Sequence, residues 1–201
     1  MMAIDERVDA LIDFDGTLIK NHTLWKILLN AREYQKDKKK SYEIYESFML
    51  YILNKLLKIN SEKQFRKMIS TLEGVPYSIV KKSIKCVKLR NLSKIDRYLG
   101  NGEKTLRILS RNDSYLINDI LESYGLKKQL YDNYNIRISD KIIANHFKQK
   151  NGVFTGEVEL IVNNKMENLK GTGKIFFGDV WDCLDCKCYS KFKGYSKFVR
   201  I

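Results

Sequence analysis

The sequence has little of what marks exported or membrane-spanning chains. Its longest apolar stretch, "FMLYILNKLLKI", is interrupted by Asn54 and Lys55 and is too short to cross a bilayer. The opening residues, "MMAIDERVDA", hold no basic region followed by an apolar run, so a secretory leader is not expected. Cysteine is sparse: Cys86, Cys183, Cys186 and Cys188 are the only four. Without an export signal they are expected as reduced thiols rather than disulfides. "CLDCKC" brings three thiols together, but a closed zinc site needs a fourth ligand. Only Cys86 or one of the two histidines, all remote in sequence, could supply it. A soluble, cytoplasmic protein is the expectation. The chain is not short of core material: 201 residues, 44% apolar and 30% charged, suffice for one domain carrying an inserted module.

Acidic residues are scarce in one segment only. Residues 20–100 hold 19 lysines and arginines against 7 aspartates and glutamates, whereas the remainder is nearly balanced at 18 against 17. Almost all of the net charge of +13 therefore sits in that segment. Such asymmetry suits a module facing an anionic partner or substrate.

Periodicity divides the chain the same way. "RVDALID" (7–13) reads as a short buried strand ending at a carboxylate. From residue 22 to 98 strand alternation gives way to helical spacing, as in Leu24, Ile27, Leu28 and Ala31, or Ile44, Phe48, Ile52 and Leu56. Ser61 suits a helix N-cap, and the single proline, Pro76, suits the first turn of a helix running through "PYSIVKKSIKCVKLRNL". "FMLYILNKLL" is expected as core of this helical insert rather than as a lipid contact. After Gly100 and Gly102 come a strand, "TLRILS", and an amphipathic helix capped by Asn112 or Asp113 and closed by Gly125. A third strand follows in "NIRISDKIIAN", then a hairpin about Asn151-Gly152, a strand "GKIFFGD" and a last one in "YSKFVRI". The expectation is an α/β core of residues 1–19 and 101–201, with a mostly parallel sheet, and an inserted all-helical domain of residues 20–100.

Three of the strands end in a chemically capable group: Asp13, Ser110 and Asp179. In open α/β sheets ligands bind at the carboxyl ends of the strands, so the three are expected to form one site. Carboxylates crowded there repel, and Mg²⁺, which prefers oxygen ligands, would relieve the repulsion. A carboxylate beside Mg²⁺ can attack phosphorus, and a second, two residues on, can move the proton. That is the pattern of Asp13 and Asp15 in "DFDGTL". Gly16 permits a tight turn, and the backbone N–H groups of Gly16 and Thr17 can meet phosphate oxygens. A hydroxyl and a lysine would share the remaining negative charge.

"DFDGTL" resembles the first motif of the haloacid dehalogenase superfamily, mostly phosphohydrolases that work through an aspartyl-phosphate. "LRILS" is similar to the second motif, and "FFGD" to the start of the acidic fourth. "IIANHF…NGVFTGEVELIVNNKMENL" is similar to the stretch that precedes the third-motif lysine in the phosphoserine-phosphatase-like subgroup, whose helical cap lies between the first two motifs. The resemblance implies a Rossmann-like core with Asp13 as nucleophile, Asp15 as general acid/base, and Ser110 and Lys165 holding the phosphoryl group. It implies Mg²⁺ on Asp13, the backbone carbonyl of Asp15, and Asp179, with the cap selecting the substrate.

The chain departs from the family pattern in three places. The further acid of the fourth motif has no clear counterpart; Asp182 and Asp185 are the candidates for anchors behind the metal ligands. The spacing from Lys165 to Asp179 is short, which leaves Lys170 and Lys174 as outside candidates for the lysine. The position of the glutamate that binds the phosphoserine amine holds His22, a candidate specificity residue that argues against phosphoserine. The expected function is Mg²⁺-dependent hydrolysis of a small anionic phosphate ester. The alternatives are phosphoserine hydrolysis, or a nucleic-acid-binding or polynucleotide-end-processing protein whose Tyr34, Tyr42 and Tyr45 would stack on bases.

Overall fold

Buried β-formers flanked by polar turns set the strands, and together they build one sheet. The computed structural model describes residues 8–36, 38–57, 62–169, 174–179, 182 and 198–201. In chain order the elements are β1 (Ala10–Ile12), α1 (Thr23–Gln35), α2 (Lys38–Leu56), α3 (Glu62–Ser70) and α4 (Tyr77–Ser83). A short 3₁₀ turn (Ser93–Ile95) leads into α5 (Asp96–Leu99), β2 (Lys104–Asp113), α6 (Ser114–Ser123) and α7 (Leu126–Tyr134). Then follow β3 (Ile136–Ile138), β4 (Ile143–Lys150), β5 (Val153–Glu159), α8 (Lys165–Leu169), β6 (Ile175–Gly178) and β7 (Phe198–Arg200). Ser61, Lys170, Asp185, Cys183, Cys186 and Cys188 lie outside the described residues; Cys86 is exposed and unbridged.

The sheet runs β5-β4-β2-β1-β6-β7, with β3 beside the first half of β2 and β4 beside its second half. All pairings are parallel except the β4–β5 hairpin, whose turn is Asn151-Gly152. The fold is thus α/β with a mostly parallel sheet. β1 is central: Ile12 lies opposite Ile108 of β2 and Phe177 of β6. The carboxyl ends of β1, β2 and β6 therefore adjoin, which is where ligands gather in such sheets.

One continuous core joins the sheet to the helices. It includes Ile12, Phe14, Ile108 and Phe177 from the sheet side, and Ile27, Leu28, Ile44, Phe65 and Met68 from α1, α2 and α3. The hairpin also seats on the helical layer, with the Phe154 N–H donating to the Val75 carbonyl and the Gly74 N–H to the Phe154 carbonyl, each at 3.0 Å. Among the described residues no helix is long and apolar enough to cross a membrane.

Two local expectations fail. The helix opening near Pro76 does not continue through "SIKCVKLRNL": α4 ends at Ser83, and Pro76 caps it with extended backbone instead of lying within its first turn. Cys86 takes a left-handed φ of 56°, and the chain then pairs with residues 18–20 through Lys20 N–H to the Lys88 carbonyl and Arg90 N–H to the Leu18 carbonyl. Those backbone bonds replace a helical ladder. The second failure is in α2. Ile44 is fully buried, but Met49 is 63% and Leu53 48% exposed, so part of "FMLYILNKLL" faces solvent and not core. The helix carries apolar residues on more than one side, and periodicity alone does not say which side is covered.

Candidate active site

The site begins at the end of β1. The Asp13 N–H donates to the Phe177 carbonyl at 2.9 Å, so the strand register itself holds Asp13 between β2 and β6. The chain then turns sharply at Gly16, whose φ of 75° disfavours any side chain. A Cβ there would stand 2.6 Å from Asp179 Oδ2 and 2.8 Å from His22 Cε1. The Gly16 N–H donates to the Asn21 carbonyl, and Thr17 is buried, its hydroxyl without a partner among the described residues and away from the cavity described below. The N–H of Gly16 is therefore occupied within the loop, and the Thr17 side chain does not reach the cavity.

Asp13, Asp179 and Asp182 are all buried, and each offers an oxygen within 4.8 Å of the others. Asp179 and Asp182 are linked head to tail: the Asp179 N–H donates to Asp182 Oδ2 at 3.3 Å and the Asp182 N–H to Asp179 Oδ1 at 3.1 Å. Gly178 makes this fold-back feasible, since a Cβ there would lie 2.6 Å from Asp182 Oδ2. Lys165, at the start of α8, reaches between the carboxylates, with Nζ 2.5 Å from Asp13 Oδ1 and 2.8 Å from Asp182 Oδ1. Lys174 instead donates to the Val8 carbonyl.

The electrostatics follow from this crowding. Burial, then repulsion from Asp182, pushes the Asp13 carboxyl well above its ordinary range, against the pull of Lys165. Burial lowers the proton affinity of Lys165, but Asp13 and Asp182 outweigh it and hold the ammonium charged. Three buried carboxylates converging on one point are a hard-oxygen donor set, and one lysine offsets only part of their charge. The residues present fit a divalent cation such as Mg²⁺.

Asp15 is held apart from this cluster. Its Oδ1 accepts from the Thr23 N–H at 2.9 Å and the Thr23 hydroxyl at 2.8 Å, and its Oδ2 from the Asn112 side chain at 2.9 Å. Burial raises its pKa in spite of these bonds. Ser110 lies on β2 at 2% exposure, its hydroxyl accepting from the Asn112 N–H at 3.2 Å. The acidic cluster, Lys165, Asp15, Ser110 and Asn112 line one cavity of about 330 Å³, with His22, Arg111 and Tyr51 also in its lining and Leu24, Trp25, Leu28, Phe48, Ile52 and Met68 as its apolar part.

Sequence reasoning missed Thr23, Asn112, Arg111 and Asn145. Asn145, fully buried on β4, accepts from the Ile161 and Val162 N–H groups at 2.9 and 2.7 Å. It also donates to the Arg111 and Val162 carbonyls, which ties the segment before Lys165 to the end of β2. A signal existed for Asn112, since "SRND" stacks polar residues directly after the candidate Ser110. None existed for Asn145, whose partners are at least 16 residues away.

Comparison with known proteins agrees with this α/β phosphate-site architecture. No family model matches the chain. A phosphoserine phosphatase of Methanocaldococcus jannaschii is 30% identical over 169 residues, covering 82% of this chain and 69% of that protein. A substrate-bound phosphoserine phosphatase structure overlays with a TM-score of 0.55 at 23% identity, over 97% of this chain and 87% of the other. A phospho-aspartyl intermediate analogue of phosphoserine phosphatase gives 0.51 at 22%, over 90% and 82%. The fold is that of the haloacid-dehalogenase-type phosphatases. The chain belongs to that superfamily, in its phosphoserine-phosphatase-like subgroup.

Proposed function

We propose that the protein is a Mg²⁺-dependent phosphomonoester hydrolase in which Asp13 forms the aspartyl-phosphate. The observation that carries the reading is the pairing of two differently held carboxylates. Asp13 lies in the acidic cluster against Lys165, while Asp15 is turned away into bonds with Thr23 and Asn112. In this reading Asp13, Asp179 and the backbone carbonyl of Asp15 hold the cation, with Asp182 anchoring Asp179 and Lys165. When bound, Mg²⁺ supplies the positive charge that keeps the crowded carboxylates ionised and offsets charge on the phosphoryl oxygens.

The residues of the chain divide the remaining work. The phosphoryl group is received between Asp13, the Ser110 hydroxyl and the Lys165 ammonium. An Asp13 oxygen attacks phosphorus, the ester P–O bond breaks, and Asp15 passes its proton to the departing oxygen. The raised proton affinity of Asp15 suits the acid role. Asp15, now a carboxylate, takes a proton from the water that attacks the aspartyl-phosphate, and inorganic phosphate leaves with Asp13 restored. Residues 20–100 act as a cap in this reading, since α1, α2 and α3 supply the apolar lining of the cavity.

Hydrolysis of a generic aryl phosphate tests the reading. Turnover is expected with Mg²⁺, to vanish with chelator, and to drop at least about 10³-fold in Asp13→Asn. Turnover that survives Asp13→Asn would remove Asp13 as nucleophile and sink the mechanism.

A further inference from the structure

The apolar lining of the cavity carries information about the substrate. We propose that it receives an apolar leaving group, so that the substrate is the phosphate monoester of an alkyl or aryl alcohol; this rests on the phosphatase reading above.

The lining of the cavity is of two kinds. One is polar, the acidic cluster and its partners together with His22 and Arg111. The other is Leu24, Trp25 and Leu28 of α1, Phe48 and Ile52 of α2, and Met68 of α3, with Tyr51 of α2 also lining the cavity. Trp25 and Phe48 are stacked, with ring centroids 4.0 Å apart and planes at 29°, and form a preset flat slab between the two helices.

A zwitterionic leaving group has no place to pair here. Its ammonium would need a carboxylate, and the four lining carboxylates among the described residues are committed at the phosphoryl end. Asp13 and Asp182 hold Lys165, Asp179 bonds Asp182, and Asp15 bonds Thr23 and Asn112. Arg111 also lines the cavity, but its Nε donates to the Asn163 carbonyl at 3.0 Å and Nη1 to the Tyr51 hydroxyl at 2.8 Å. A sugar would gain less, because hydroxyls pressed on Leu24, Leu28, Ile52 and Met68 lose water without gaining partners. An apolar chain or ring gains affinity by leaving water, about fourfold for each methylene buried.

The test is a kinetic series of n-alkyl phosphates from methyl to hexyl, with phenyl phosphate, phosphoserine and a hexose phosphate. Acetyl phosphate serves as the donor that needs no pocket. The expected result is kcat/KM rising about fourfold per methylene over the first members, with phosphoserine below butyl phosphate. The rise should flatten in Trp25→Ala and in Ile52→Ser, and Trp25→Phe should restore most of it. Two wall variants are named so that misfolding of one leaves the other informative. A flat series, or phosphoserine or the hexose phosphate exceeding hexyl phosphate, overturns the proposal while acetyl phosphate turnover upholds the phosphatase. No Asp13-dependent turnover of any donor overturns both.

Discussion

Asp13 is held where its own ionisation is costly. Burial and Asp182 raise its proton affinity, so ionising it in the metal-free fold costs stability. The sign follows from linkage: a carboxyl raised in the folded state destabilises the fold once pH exceeds its ordinary range. Asp13→Asn is therefore expected to melt at a higher temperature than wild type at pH 7.5 in chelator, although it should lack turnover. Mg²⁺ should raise the wild-type melting temperature more than that of the variant, because only the complete donor set binds it well. A variant less stable in chelator would show that the Lys165 pairing outweighs the crowding. Asn145 is the opposite kind of residue, fully bonded and remote from the reacting atoms. Asn145→Ala strands two N–H and two carbonyl groups in the interior, and an unfolding loss of about 3 kcal/mol is expected by urea titration.

Among the elements, α6 is tied to its neighbour through its cap. Asp113 accepts from the Leu116 N–H at 3.2 Å and from the Phe147 N–H of β4 at 2.9 Å. Burial raises its carboxyl to about 6, with Asp119 adding to the rise and His146 countering it. The folded state thus binds this proton more tightly than the unfolded chain. Its contribution is greatest below about pH 4, falls as pH climbs to 6, and is flat above. Asp113→Asn has no such dependence, so the stability difference should shift in its favour by up to about 3 kcal/mol between pH 4 and 7. Equal shifts for both proteins in urea unfolding at the two pH values would refute this. In α2 the two faces separate cleanly: Ile44→Ala should cost about 3 kcal/mol and Leu53→Ala less than about 0.5 kcal/mol, since Ile44 is fully buried and Leu53 is 48% exposed.

At the scale of the molecule the charge asymmetry remains. The cavity of about 330 Å³ has room for a small ester, and among the described residues none of the lysines or arginines of 20–100 lines it. Of the tyrosines that suggested base stacking, Tyr45 is already engaged by Arg32, whose Nη1 donates to its hydroxyl at 2.5 Å. Weak nucleic-acid binding that falls steeply with salt is the expected outcome, with KM for a phosphate ester changing much less between 50 and 200 mM salt (about the range over which phosphate contacts are lost). Tight nucleic-acid binding at the higher salt would restore the polynucleotide reading.

While Lys165 came only from the family resemblance, the fold class, the helix-rich segment between β1 and β2, and the grouping of Asp13, Ser110 and Asp179 were readable along the chain. Each depends on local pattern: apolar strands ending in polar groups, and helical spacing in between. The length of α4 was not readable, because backbone pairing of residues 88–90 with 18–20 competes with helix and leaves no mark on periodicity. Nor was the exposed face of α2, nor the choice of Asp182 as the residue that links Lys165 to Asp179. The sequence by itself determined the polar groups that end the strands, since the carboxylates Asp13 and Asp179 and the Ser110 hydroxyl after apolar runs are local facts. Only the tertiary structure decided how Asp15 is held and what faces the reacting groups, because Thr23, Asn112, Asn145 and the Trp25–Phe48 wall act through contacts between residues far apart in the chain.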